Sequence, residues 1–283
     1  MIQNKRIILA TFIAFLLFTS CVKEDIYNTP HPQHGKITLV TDWSKRGDGI
    51  AIPQNYTVQV SAYATTLTGE RNVIKNLFLP DTYHLLIFNT PEKITINEAK
   101  ASIASTKGDY IESQPGWLFS YNADIGIEKD RDYTFTATVE QQVRELNLWI
   151  EPTGGTISKI ASVTAELSGA AQQLNLQNGV LSVEKNINLT FSKQSDGKYK
   201  ATARLLGFAS VSPKLTVKIT FIAGSPAEII QSYDLGGQLR TFNGEKNKPF
   251  SLSAQLIETP TASGFTTIIT DWKTVKEGNA TAD

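Results

Sequence analysis

Apolar and polar residues alternate along most of this chain, and short clusters of turn-forming residues separate the alternating stretches. Ile37 and Leu39 would point to one side of a strand and Thr38 to the other. A side-chain period of two is that of a half-buried β-strand. The pattern recurs at regular spacing, for example in residues 133–139 and 199–206. The sequence therefore predicts an all-β chain of antiparallel sheets, each with one buried face.

The length and the turns of the second half divide this pattern into domains. Asp196 and Gly197 predict a hairpin, because the favoured two-residue turn needs a positive φ that glycine provides. Beyond residue 20, about 260 residues remain, which is more than one small sandwich needs. We predict two β-sandwich domains in tandem, at residues 36–140 and 141–273, followed by a flexible tail at residues 274–283.

Three stretches are less regular. Val73, Leu77 and Leu79 recur at even spacing, so we place them on the inward face of one strand. Residues 160–167 and 171–176 are predicted as separate strands. Residues 97–106 have a helix-like composition with a mostly alanine apolar face, which predicts a short surface helix or a loop.

The first 25 residues have the layout of an export signal. Two basic residues precede an apolar run, residues 7–18, which ends just before the only cysteine of the chain, Cys21. The run of about 12 residues is too short to span a bilayer, which needs roughly 20. We predict a signal peptide at residues 1–20, cleavage before Cys21 and a lipid on its thiol. An ordinary cleaved signal with an incidental cysteine is the alternative, and the position of that sole cysteine argues against it.

Residues 21–35 are predicted to be a lipidated leash. Residues 26–35 contain prolines, histidines and a glycine without periodicity, which indicates an extended linker. His31 and His34 could form half of a metal site, but no cysteine or acidic residue lies near them at ligand spacing. We therefore predict that both histidines face solvent.

Charge and residue types exclude several functions. Lysine plus arginine equal aspartate plus glutamate at 27 each, without long runs of one sign, so nucleic-acid binding is not expected. His84 lies among apolar residues and is predicted to be a partly buried, hydrogen-bonded side chain rather than a base. Asp130 and Asp132 lack further oxygen ligands and predict a solvated turn rather than a calcium site. We expect no catalytic residues, no metal and no cofactor, and hence no enzyme.

Several stretches together resemble the fimbrial anchor and fimbrillin-associated lipoproteins of Bacteroidetes. The resemblance covers nearly the whole mature chain and is carried by residues 21–25, 41–44, 79–89, 160–171, 196–199, 233–235 and 269–272. It implies two transthyretin-like, Greek-key sandwiches at the base, in the stalk or at the tip of a protease-dependent pilus. Lys23, Glu24 and Asp25 are similar to the signal that sends such lipoproteins to the outer face of the outer membrane.

The expected function follows from this resemblance. The chain would be a lipid-anchored fimbrial subunit of the anchor or accessory type, on the cell surface and held in the outer membrane through Cys21. Its partners would be other fimbrial subunits, bound by strand addition at an edge with unpaired backbone groups. The sequence names no receptor. A surface glycan-binding lipoprotein is an alternative, with Trp117, Phe119 and Tyr121 as aromatic candidates.

Lys45 and Arg46 form a candidate maturation site in a glycine-containing loop after the first predicted strand. A trypsin-like protease that cut there would detach residues 36–43 and open a hydrophobic groove, as a stalk or tip subunit requires. The same cut would separate Cys21 from both domains. An anchor must therefore remain uncut, and we predict that the mature protein keeps residues 21–46.

Overall fold

The computed structural model describes residues 26–153, 155, 158–222, 226–261 and 264–275, and it confirms the predicted all-β class. The strands are β1 (Gly35–Lys45), β2 (Tyr56–Val60), β3 (Tyr63–Leu67), β4 (Arg71–Phe78), β5 (Asp81–Phe88), β6 (Ile94–Asn97), β7 (Lys100–Ile103), β8 (Phe119–Ile127), β9 (Arg131–Gln141), β10 (Arg144–Thr153), β11 (Ile160–Asn175), β12 (Leu181–Thr190), β13 (Ser192–Lys193), β14 (Tyr199–Leu205), β15 (Lys214–Phe221), β16 (Glu228–Asp234), β17 (Phe250–Thr261), β18 (Gly264–Ile269) and β19 (Lys273–Val275). A helical turn, α1 (Gly236–Leu239), lies between β16 and β17. In the described part of the chain, no helix has the length and hydrophobicity of a membrane span.

The first half forms a seven-stranded sheet in the order β3-β2-β5-β8-β9-β1-β4. The first predicted strand, β1, lies inside this sheet, because it pairs with β9 in parallel and with β4 antiparallel. Ile37, Leu39 and Trp43 of β1 are buried, as the alternation predicts. Most side chains buried along this sheet, including those of β1, form their own hydrophobic cluster, so β1 is an integral part of the first core.

The second half contributes most of two further sheets. One has the order β13-β14-β10-β17-β18, with β19 also paired to β17, and the other has the order β16-β15-β11-β7-β6, with β12 also paired to β11. The side chains between them form the larger hydrophobic cluster. The predicted hairpin at Asp196 is present, since Gly197 has φ of 86° and β13 pairs with β14 around it, but its connection is longer than the predicted two-residue turn and is closed by a bond from the Gln194 N–H to the Lys198 carbonyl. β19 extends two residues into the predicted tail, to Val275.

The prediction of a helix or loop at residues 97–106 is wrong. This segment contains β7, which forms a hairpin with β6 and adds to the end of β11 in the second half. Ala101 and Ile103 are fully buried in the larger cluster, and Ile111 and Leu118 join them. Part of the first half thus completes the core of the second. The domain boundary at residue 140 therefore stays a prediction.

Two further predictions need correction. β11 is a single strand rather than two, because Gly169 takes a φ of 78° in a bulge that lets the pairing with β12 resume at Ala170. In β4 the inward residues are Ile74 and Phe78, whereas Val73 and Leu77 are exposed. The predicted inward face of β4 is therefore wrong by one residue, which places the opposite set of side chains in the core.

Candidate functional site

The predicted lipidation site Cys21 and the predicted export signal Lys23, Glu24 and Asp25 lie outside the described residues. The prediction that His31 and His34 both face solvent is wrong for His31. His31 is buried, and its Nε2 lies 2.9 Å from Oδ1 of Asp132. The segment that contains it is hydrogen-bonded to the folded body, so residues 28–34 are not an extended linker.

The contacts of this segment are with the turn between β8 and β9. The carboxylate of Asp130 accepts hydrogen bonds from the backbone N–H groups of Asn28 and Thr29, each at 2.8 Å, and from both of their side chains. The Asp130 N–H donates to the carbonyl of His34 at 2.9 Å. These bonds, led by the one from the Asn28 N–H, lower the pKa of Asp130. We call this arrangement the Asp130 clamp.

The candidate maturation loop at the other end of β1 is also held in place. The Arg46 guanidinium donates from Nε to the carbonyl of Ile50 at 3.0 Å and from Nη1 to the carbonyl of Trp43 at 3.2 Å. Lys45 is exposed, Arg46 is half-buried and Gly47 is buried. The Arg46 side chain is therefore bonded to its own loop and only partly exposed to solvent.

Gln141, at the end of β9, secures the peptide bond after Arg46. Its Oε1 accepts the backbone N–H of Gly47 at 2.8 Å. Its Nε2 donates to the carbonyls of Val143 and Lys246, at 2.7 and 2.8 Å. This buried amide ties together the maturation loop, the link between β9 and β10, and the loop before β17. A side chain on Gly47 would meet the carbonyl oxygen of Asn247 at 2.8 Å, so the approach requires glycine.

A polar cleft opens beside Gln141. A cavity of about 550 Å³ lies between the end of β9 and residues 243–248, and one of about 340 Å³ extends it towards Ile50 and Trp117. Burial lowers the pKa of Lys246 to about 8. The Lys246 ammonium donates to Oε1 of Gln142 at 3.4 Å, and no carboxylate of the described residues lies within ion-pair distance of it.

The sheets also expose edges where another chain could add. β4 is the outermost strand at one end of the seven-stranded sheet, and its Val73 and Leu77 are exposed. β18 is held by side chains of β16, because Gln231 Oε1 accepts the N–H of Ile269 and the Tyr233 hydroxyl donates to the Ile269 carbonyl. Burial raises the pKa of Tyr233 to about 12.

The remaining candidate residues are engaged in contacts within the protein. His84 is half-buried, and its Nδ1 lies 3.0 Å from Oδ1 of Asp124, which confirms the predicted hydrogen-bonded role. Phe119 is buried against Trp43, and Arg204 lies over the Trp117 ring at 5.2 Å. Across the described residues, no group of three or more His, Cys, Asp or Glu side chains is placed to hold a metal ion.

Gln141 and Lys246 were not predicted as functional residues. In the sequence, Gln141 stands only at the predicted boundary between the two domains, and nothing local distinguishes it from its neighbour Gln142. Its partners Gly47 and Lys246 are 94 and 105 residues away in sequence. The importance of such a residue depends on long-range packing, which a single sequence does not display.

Comparison with known proteins supports the resemblance. The family model of the fimbrillin-A associated anchor proteins Mfa1 and Mfa2 matches residues 53–278. No curated protein matches the sequence. A solved structure of a proposed adhesin from Bacteroides ovatus ATCC 8483 is similar, with a TM-score of 0.57, 18% identity, and coverage of 87% of this chain and 96% of that one.

The fimbrial anchor protein Mfa2 from Porphyromonas gingivalis has the same architecture. Its TM-score is 0.57 at 9% identity, with 85% of this chain and 97% of that chain covered. At such identities the structural likeness shows the fold alone. The family match spans most of the chain, and the chain belongs to the family of fimbrillin-A associated anchor proteins Mfa1 and Mfa2.

Proposed function

We propose that this chain is a lipid-anchored fimbrial subunit of the anchor or accessory type, retained on the outer membrane through Cys21. The observation that carries the proposal is the state of the Arg46 loop. The Arg46–Gly47 peptide bond lies between a guanidinium bonded to its own loop and an N–H bonded to buried Gln141. A protease needs an extended, accessible segment, so this loop must open locally before it can be cut.

The position of β1 supports retention for a second reason. β1 contributes three large buried side chains, Ile37, Leu39 and Trp43, and each is worth about 1.5–3 kcal/mol when buried. Their sum of about 4.5–9 kcal/mol is comparable to the total stability of a typical domain. The first sheet would therefore need a replacement strand if β1 were lost, and an anchor that keeps β1 needs none.

The Asp130 clamp supports a tether of fixed length. Because residues 28–34 are bound to the turn between β8 and β9, only residues 22–27 would separate a lipid on Cys21 from the folded body. Six residues reach at most about 20 Å when fully extended. This would keep the β8–β9 end of the first sheet near the membrane and the Arg46 end, 11 residues along β1, away from it.

Neighbouring pilins would be bound by strand addition. The outer edge of β4 carries no partner strand among the described residues, and exposed Val73 and Leu77 would contact side chains of an added strand. Surface display would depend on Lys23, Glu24 and Asp25. The alternative of a glycan-binding lipoprotein has weaker support, because its aromatic candidates Trp117, Phe119 and Tyr121 are engaged within the protein.

Membrane fractionation of Cys21→Ala tests the lipid anchor. We expect the variant to fold normally, because Cys21 is the only cysteine of the chain and so has no partner for a disulfide bond within it. We also expect the variant to leave the membrane fraction. Ser20→Ala, which keeps the cysteine, is the matched control and should remain in membranes. Membrane retention of Cys21→Ala at the level of the control would refute the anchor.

A further inference from the structure

The cleft beside Gln141 contains two lysines that lie outside ion-pair distance of the described carboxylates. Lys45, at the end of β1, and Lys246, in the loop before β17, line the same cavity. Neither lysine forms an ion pair with a described residue. Lys248, by contrast, is paired with Glu245 at 3.0 Å. The cleft therefore holds two lysines whose ammonium groups are open to a ligand.

Lys246 is the more constrained of the two. Its backbone carbonyl is fixed by Gln141, whereas its ammonium has three N–H donors and a single long contact, with Gln142 at 3.4 Å. Burial also holds the pKa of Lys246 near 8. A shielded cation with unfilled donors gains more from an added anion than an exposed one does, because less water must be displaced from it.

The other charged groups around the cleft leave the ammonium groups of Lys45 and Lys246 available to an anion. The groups that face Lys246 are Glu140 on β9, Arg144 on β10, Lys45 on β1, and Glu245 and Lys248 on its own loop. Arg144 is buried and donates to the carbonyls of Phe242 and Lys248. Three lysines thus line the cleft together with two carboxylates, and one of these, Glu245, is already paired with Lys248.

We propose that this cleft binds a carboxylate-bearing segment of another protein chain, with the carboxylate between Lys45 and Lys246. The cavity volume of about 550 Å³ lies within the usual range for ligand pockets of about 300–1,000 Å³. Asn247 lines both parts of the cleft and adds an amide that can bond to a peptide backbone.

A peptide suits this cleft better than an acidic sugar. Sugars usually require an open aromatic face, and the one aromatic residue at the cleft is Trp117. Its ring is half-buried against both hydrophobic clusters, and the guanidinium of Arg204 lies over it at 5.2 Å. The polar walls, the two lysines without ion pairs and the Asn247 amide instead match an extended acidic peptide.

Binding of a defined probe to the detergent-solubilised full chain tests the proposal. The probe is a capped Gly-Glu-Gly-Asp-Gly peptide, and its reference is the Gln and Asn analogue, both measured by calorimetry. We expect the acidic probe to bind and the neutral analogue to bind at least tenfold more weakly. Lys246→Met should weaken the acidic probe about tenfold, equivalent to about 1.4 kcal/mol, and Lys45→Met should weaken it by a smaller factor.

Lys193→Met is the matched control, since Lys193 is an exposed lysine on β13 outside the cleft. It should leave binding within twofold of the unaltered chain. Thermal unfolding of each variant checks folding, and Lys246→Met should fold because the bond from Gln141 goes to its backbone. Equal binding by Lys246→Met and the unaltered chain, or no binding of the acidic probe, would overturn the proposal.

Two further arms identify the occupant. A galacturonate trisaccharide that binds in a Lys246-dependent manner, when the peptide does not, would overturn the assignment to a protein partner. The other arm removes residues 276–283, because β19 ends at Val275 beside Ser251, next to the loop that lines the cleft, and the deleted segment contains Glu277 and Asp283. We expect unchanged affinity for the probe. A tenfold gain on deletion would instead assign the cleft to the chain's own tail.

Discussion

Replacement of Gln141 by leucine should expose the Arg46–Gly47 bond to proteolysis. Leucine has a similar volume but cannot bond to Gly47, Val143 or Lys246, so two buried backbone groups and one partly buried group lose their hydrogen bond to this side chain. An unsatisfied buried group costs about 1–3 kcal/mol. The Gly47 bond holds the loop directly, so we assign about 2 kcal/mol to easier opening of the loop.

This magnitude converts into a rate. When opening and closing of a loop are faster than cleavage, the cleavage rate follows the population of the open form. A change of about 2 kcal/mol therefore predicts roughly 30-fold faster cleavage after Arg46. The assay is limited digestion with an arginine-specific protease, with mass spectrometry to follow the peptide that begins at Gly47.

Two variants make this result specific. Gln142→Leu alters the neighbouring glutamine, whose contacts are long, at 3.4 Å, and should leave the rate within a few-fold of the unaltered chain. Arg46→Gln in the Gln141→Leu background should abolish the product. The reasoning is refuted if Gln141→Leu is cut after Arg46 no faster than Gln142→Leu, at temperatures where both remain folded.

Two other properties of the amino-terminal region can be measured directly. Combined replacement of Lys23, Glu24 and Asp25 by alanine should keep the protein inside the cell envelope, and equal protease accessibility on whole cells before and after the change would contradict this. The Asp130 clamp should protect the amide hydrogens of Asn28 and Thr29 from exchange at neutral pH, because the bonds to the carboxylate lower the Asp130 pKa. A carboxyl whose pKa is lowered in the folded protein stabilises the fold above its ordinary pKa, here 3.8, and this stabilisation is lost as the pH falls through the folded pKa. Protection of the two amides should therefore disappear only below pH 3.8. The Asp130→Asn variant should lose most of this protection at neutral pH.

The sequence could predict those parts of the fold that depend on local pattern. Ile37 and Leu39 are buried as their alternation predicts, and the hairpin at Gly197 forms because a positive φ favours glycine. β4 shows where this signal fails. Val73 and Ile74 are adjacent apolar residues, as are Leu77 and Phe78, so either face could have been the buried one.

The sequence could not predict the features that depend on distant contacts. Ala101 is fully buried only because β7 joins β11 of the second half, and its small side chain gives no hydrophobic signal of its own. His31 is buried because the segment around it folds onto the turn at Asp130, about 100 residues later. The junction at Gln141 arises in the same way, from partners in both halves of the chain.

The amino terminus of the mature protein tests the anchor account most directly. It can be determined by mass spectrometry of the protein isolated from outer membranes and assembled fimbriae of the producing cells. The account predicts a lipidated terminus at Cys21, with β1 and the bond after Arg46 intact. A terminus at Gly47 would contradict it and would identify the chain as a stalk or tip subunit.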